Sequence, residues 1–140
     1  MSALVVDASV MVAALVQNDG DGSWAEQVIE RGPLMAPHLL PVEVANILRR
    51  LAQAGAISED VASLAHDELL KMRIEFFAYG PFAARIWSLR TNVRPYDGWY
   101  VALAEALDAP LATLDLRLTR ASGPACRFLS PSAGAGHPHA

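Results

Sequence analysis

Ala3-Leu4-Val5-Val6-Asp7-Ala8-Ser9 opens the chain with a continuously apolar, partly β-branched run that ends in an aspartate. Such a run fits a short strand buried on both faces, which occurs where helices cover both sides of a parallel sheet. Leu111-Ala112-Thr113-Leu114-Asp115 repeats the design a hundred residues later. Between and after these stretches the pattern alternates. Leu34 to Ala36, Ile74 to Tyr79 and Cys126 to Leu129 read as further strands. Val10 to Val16, Pro41 (or His38) to Ala54, Phe82 to Leu89, Asp97 to Leu107 and Leu116 to Ala121 read as helices. Asn18 to Gly22 reads as a loop, after which Ser23 and Glu26 form a capping box for a helix to about Glu30. Gly55 is placed to stop the third helix, and Ser58 to cap a fourth with Val61, Leu64, Ala65, Leu69 and Met72 at helical spacing. The expected fold class is α/β: a three-layer α/β/α domain over residues 1–130 with a central parallel sheet of about five short strands. Residues 131–140, rich in Pro, Gly, Ser and Ala, read as a flexible tail that includes His137 and His139.

Composition narrows the class. With 140 residues, 53% of them hydrophobic and 19% charged, the chain suits one compact domain rather than a disordered segment. No apolar run is long enough to span a bilayer, and the start lacks the basic segment and cleavage site of a signal peptide, so the expected location is the cytoplasm. A single cysteine, Cys126, excludes an internal disulfide and a cysteine-built zinc site, and reads as a buried core thiol. The net charge of −4 is unusual for a protein that grips nucleic acid, unless part of it is a cluster neutralised by a cation. Ten of the eleven basic residues are arginine, whose planar fork suits phosphate; GC-rich coding would give the same bias.

Four of the fifteen acids stand out by their position. Asp7 follows the first strand and Asp115 the fourth; ligands of open parallel sheets bind beyond such carboxyl ends. Asp97 opens a helix, and Glu43 lies in the first turns of another. Each also has a plain structural role open to it, as an N-cap for the three aspartates and as a dipole partner for Glu43. As a set, convergent carboxylates repel one another, and a hard divalent cation removes the conflict; all-oxygen ligands suit Mg2+, Mn2+ or Ca2+. Ser9, Asn46 and Thr113 stand at offsets from which their side chains support these acids, or serve only as a cap, a solvent-facing amide and a strand residue.

At this point the motifs form a set. Val5-Val6-Asp7-Ala8-Ser9, Pro41-Val42-Glu43-Val44-Ala45-Asn46, Tyr96-Asp97-Gly98-Trp99-Tyr100-Val101-Ala102-Leu103-Ala104 and Ala112-Thr113-Leu114-Asp115-Leu116-Arg117-Leu118 occur in the order of the PIN domain. Up to about Leu129 the chain resembles the VapC-type toxins of bacterial toxin–antitoxin pairs. The resemblance implies a Mg2+- or Mn2+-dependent endoribonuclease that cuts structured RNA such as tRNA or rRNA by metal-activated water. It implies Asp7, Glu43, Asp97 and Asp115 as the catalytic and metal-binding acids, with Ser9 and Thr113 in support. It also implies a homodimer, held in a larger complex by an antitoxin that places a basic side chain in the acidic pocket. Two departures stand out: Gly98 where the family often has alanine, and Leu40-Pro41 where a threonine or serine often precedes the glutamate.

Arg94, Arg117 and Arg120 are the expected phosphate contacts, with Arg49 and Arg50 pointing either to the groove or to solvent. Trp24, Trp87, Trp99 and Tyr100 are open to base stacking, though residues at helical spacing are more often core or dimer contacts. Three other readings compete. An aspartyl-phosphate phosphatase would want an acid where Ser9 stands and a well-placed lysine, and Lys71 is not where such a lysine would stand. A receiver-type signalling domain fails for the same lack. A catalytically silent PIN-like module that binds RNA or protein would not need four carboxylates facing a polyanion.

Overall fold

The computed structural model describes residues 2–131. His137, His139 and all but the first residue of the expected tail lie outside the described residues. Five strands, β1 (Leu4–Val6), β2 (Leu34–Pro37), β3 (Ile74–Phe77), β4 (Leu111–Ala112) and β5 (Phe128–Leu129), form one parallel sheet in the order β3-β2-β1-β4-β5. Seven helices connect them: α1 (Ala8–Val16), α2 (Gly20–Ile29), α3 (Leu40–Gln53), α4 (Glu59–Lys71), α5 (Ala83–Ser88), α6 (Pro95–Leu107) and α7 (Leu116–Thr119). The strand order reverses at β1. Right-handed crossovers therefore put the helices between β1 and β3 on one face and those between β3 and β5 on the other. The packing agrees: α1 to α4 pack on one another, α5 packs on α6, and α6 lies against β1, β2 and β4. Val5, Val6, Val10, Met11, Val101, Leu103 and Leu111 are fully buried between these layers. The reversal leaves a crevice beyond the carboxyl ends of β1 and β4.

Several boundaries differ from the sequence reading, each for a local reason. The loop expected over Asn18 to Gly22 is shorter: Asp19 accepts a hydrogen bond from the Gly22 N–H at 3.0 Å and starts α2 at Gly20. The capping box at Ser23 and Glu26 is therefore not used. Helix α6 begins at Pro95, whose missing N–H costs nothing in a first turn, so Asp97 lies inside that turn rather than capping it. The third strand stops at Phe77, and Gly80–Phe82 forms a 3-10 turn around Pro81. The fourth stops at Ala112, because the next outward N–H of that side, on Leu114, is taken by the Ser9 hydroxyl at 3.1 Å. Helix α7 ends at Thr119 and strand β5 begins only at Phe128, both shorter than expected. Gly55, with φ +78°, and Ser58, whose Oγ accepts from the Val61 N–H, take their expected places around α3 and α4.

Arg85 fastens the β5 side of the sheet. Its Nε and Nη2 donate to the two oxygens of Glu105 at 2.7 and 2.9 Å, and Nη2 also reaches the Gly123 carbonyl. The Ala125 N–H donates to the same carboxylate, so α5, α6 and the segment before β5 share one anchor. The guanidinium holds the Glu105 carboxyl below its usual range. Cys126 beside it is half-buried, and burial pushes its thiol up to about 11, which leaves it protonated and unreactive. No helix of the described residues is long and apolar enough to cross a membrane.

Candidate active site

Each of the four acids reaches the crevice by a different route. Asp7 leaves β1 and caps α1, its Oδ1 accepting from the Val10 N–H at 3.1 Å and from the Ser9 hydroxyl at 2.6 Å. Ser9 in turn accepts from the Leu114 N–H, so one hydroxyl ties the end of β1 to the turn after β4. Asp115 caps α7, with Oδ1 accepting from the Arg117 and Leu118 N–H groups. Thr113, completely buried, accepts from the Asp115 N–H at 3.0 Å and fixes that turn. Glu43 stands in the first turn of α3 and Asp97 in the first turn of α6. Asp7, Ser9, Glu43, Asn46, Asp97 and Asp115 line one cavity of ≈ 210 Å³. The acids that are 90 and 108 residues apart in the chain thus share one wall-to-wall space.

The electrostatics record the crowding. Burial raises the Asp7 carboxyl above its usual value; the Ser9 and Thr113 hydroxyls oppose the shift, and the Asp97 charge adds to it. Burial also raises Glu43, with Tyr100 pulling it down and the charges of Asp97 and Asp7 pushing it up. Asp97 is raised by burial and by Asp115, against the pull of Arg94. Three carboxyls whose charged forms are disfavoured thus stand in one place.

A PIN-domain family model matches residues 4–124, a span that includes all four acids. The chain belongs to the PIN-domain family. Among its relatives, the ribonuclease VapC1 of Mycobacterium tuberculosis is 42% identical, covering 91% of this chain and 97% of its own. Ribonuclease VapC9 of the same organism is 41% identical over 83% of this chain and 88% of its own, which makes this PIN domain a member of the VapC ribonucleases. Among solved structures, PAE2754 from Pyrobaculum aerophilum superposes with a TM-score of 0.67 at 20% identity, over 94% of this chain and 86% of that one. The sarcin–ricin-loop-cleaving toxin VapC20 of M. tuberculosis superposes with a TM-score of 0.65 at 14% identity, over 84% and 93%. These two likenesses establish the fold.

Within this PIN domain the remaining expected residues divide. Arg94 and Arg117 line a second depression that adjoins the acidic cavity at Asp97 and Asp115. Arg120 is exposed at the end of α7 and lines neither space. Asn46 is at the cavity but also accepts from Arg49 at 2.8 Å, and Arg49 runs along its own helix to Gln53. Arg50, by contrast, faces the acids. Lys71 lies in a separate depression with Glu68 and Met72, so the lysine of an aspartyl-phosphate enzyme is absent from Asp7's surroundings among the described residues. Trp24 packs against the core, Trp99 stacks edge-on against Tyr79 at 5.3 Å, and Trp87 is 61% exposed beneath the Arg90 guanidinium. The two departures from the family pattern are absorbed locally. Helix α3 starts without a side-chain cap but with Pro41 in its first turn, and a methyl group at Gly98 would meet Ile86 at an ordinary 3.4 Å.

Tyr100 has a polar role at the site that the sequence did not reveal. It is 2% exposed, so it stacks on no base, and its hydroxyl donates to Glu43 Oε1 at 2.7 Å. The only sequence signal was its place three residues after Asp97, one helical turn along the same face. Tyr100→Phe keeps the ring and removes this donor. Activity is expected to fall about tenfold, the cost of one hydrogen bond to a charged group, with Tm changed by no more than a few degrees. A titration of cleavage against Mn2+ checks the cause: the half-saturating concentration should rise, and an unchanged curve would mean that Tyr100 only packs.

Proposed function

We propose that the chain is the ribonuclease toxin of a toxin–antitoxin pair, a divalent-metal-dependent endoribonuclease that cuts structured RNA such as tRNA or rRNA in the cytoplasm. The observation that carries this reading is the convergence of Asp7, Glu43, Asp97 and Asp115 on one small cavity at the point where the strand order reverses. The relatives' ribonuclease names support the reaction class. The homodimer and the antitoxin partner belong to the same reading, which rests on the kinship with the VapC ribonucleases.

The donor set fits Mg2+ or Mn2+. It is all oxygen, with no cysteine or histidine at the cavity. Among the described residues no three His, Cys, Asp or Glu side chains stand close enough together to hold one ion, so in the arrangement seen the four acids would not all be direct ligands. When bound, such an ion supplies Lewis acidity and charge neutralisation at the phosphodiester. The protein's own residues do the rest. Ser9 and the Val10 N–H hold Asp7 in one rotamer, Tyr100 holds Glu43, and the start of α7 holds Asp115. Arg94 and Arg117 offer forks to a phosphate beside the bond to be cut. Cleavage of total tRNA and rRNA by the partner-free protein tests the whole reading. Cutting with Mg2+ or Mn2+, none with EDTA, and at least ~10²-fold less by Glu43→Gln are expected. Undiminished cutting in EDTA would remove the metal from the proposal.

A further inference from the structure

The acidic cavity has a neighbour. A depression of ≈ 440 Å³ lies against it, and Asp97 and Asp115 line both. The two spaces differ in chemistry. Beyond the two shared acids, the larger one is lined by Asn92, Arg94 and Arg117, so it presents an amide and two guanidinium groups. Both arginines are exposed. Arg94 Nη2 stands 3.8 Å from Asp97 Oδ2, and its guanidinium carbon lies 5.9 Å from the Tyr96 ring centre. The Arg117 backbone N–H donates to Asp115 Oδ1, which ties its backbone to the second shared acid and leaves its side chain at the depression.

We propose that this depression is the subsite for one nucleotide flanking the scissile phosphodiester, its phosphate gripped by Arg94 and Arg117 and its base edge met by the Asn92 amide. The inference rests on the ribonuclease reading above and adds to it a place and a ligand. The physical case is one of charge order. Inside the acidic cavity Arg50 stands against four carboxylates, so the strand gains from further cationic contact beside the bond to be cut. The two arginines supply that contact at the boundary of the acid set, close enough that a phosphate in the depression lies next to the shared carboxylates. Arg120, lining neither space, should make no such contact.

A substrate-truncation cycle tests this. A short RNA that the parent cleaves at one site is shortened by one nucleotide at a time from each end, and kcat/KM is measured for the parent and for Arg94→Ala/Arg117→Ala. The arginines are exposed, so the variant should fold; equal Tm values confirm it. In the parent, removing the one nucleotide that fills the depression should lower kcat/KM roughly tenfold or more, the worth of charge-assisted hydrogen bonds to a phosphate. In the variant the full-length RNA should already show that loss, and the same truncation should change the rate less than about twofold. Arg120→Ala should keep the parent's pattern. A variant that retains the parent's full sensitivity to truncation at both ends overturns the subsite while leaving the nuclease reading in place. A parent that cuts no RNA with Mn2+ overturns the nuclease reading and the subsite with it.

Discussion

Asp7→Asn should abolish RNA cleavage and make the protein more stable. Asparagine keeps the oxygen that accepts from the Val10 N–H and the Ser9 hydroxyl, so the cap of α1 and the link to Leu114 survive. What it removes is the charge. A fall of at least ~10³-fold in kcat/KM, about 4 kcal/mol of transition-state stabilisation, is expected from loss of a carboxylate that cation and phosphate both require. The same charge is costly to the fold, because burial and Asp97 both disfavour it. At pH 7 without metal the variant should therefore melt a few degrees above the parent, a gain of about 1 kcal/mol. The pH dependence has a definite sign. Folded Asp7 keeps its proton to higher pH than the unfolded carboxyl, whose value is about 3.9. Between the two values the folded state binds more protons, so the parent loses stability as pH rises. Glu43 and Asp97 are raised too and act in the same direction. The gap between variant and parent should close near pH 4 and widen toward neutrality, read as Tm against pH. Mn2+ should raise the Tm of the parent and hardly move the variant. A variant less stable than the parent at pH 7 would mean that Asp7 is a structural cap and not a charge held in reserve.

Gly22→Ala should be among the most damaging single changes to the fold. Gly22 lies in the first turn of α2, where the chain has just turned back from α1, and its N–H is bound by Asp19. A Cβ built there would sit 2.2 Å from the Gln17 carbonyl oxygen and 2.8 Å from its carbon. Those are backbone atoms and cannot rotate aside. Gln17 is also fixed, since its N–H closes α1 on the Ala13 carbonyl. The α1–α2 corner must open, and α1 carries Val10, Met11, Val12 and Ala13, all buried in the core. A loss of roughly 3 kcal/mol is expected from such overpacking, or about 10 °C in Tm. Gly20→Ala, in the same helix, is the control: nothing lies within 4 Å of its Cβ, and alanine is the better helix former. It should be neutral or slightly stabilising. Equal melting of the two variants would show that the corner yields at little cost.

The sequence by itself determined the layers. Two apolar runs ending in aspartate, Leu4 to Asp7 and Leu111 to Asp115, define strands buried on both faces, and the alternation between them requires parallel crossovers. It also picked out the four acids, because a carboxylate just past a buried strand or in the first turn of a helix has few places to point. It did not determine how the chain starts and stops its elements. Asp19, not Ser23, begins α2 and binds the Gly22 N–H at the corner; Pro95, not Asp97, begins α6, so the Asp97 carboxylate is not used as a cap. Nor did it separate Arg94 and Arg117 from Arg120, or find Tyr100. Those choices depend on which face of a helix meets a neighbour from another element, and local pattern carries no record of such meetings. Only the strand order brought Asp7 beside Asp97 and Asp115, gave the Glu43 carboxylate a buried phenol as its partner, and set an arginine-lined depression against the acids. The physical reason is that propensity and hydrophobic period act over one or two turns, whereas charge crowding and shared hydrogen bonds exist only after long-range contacts close.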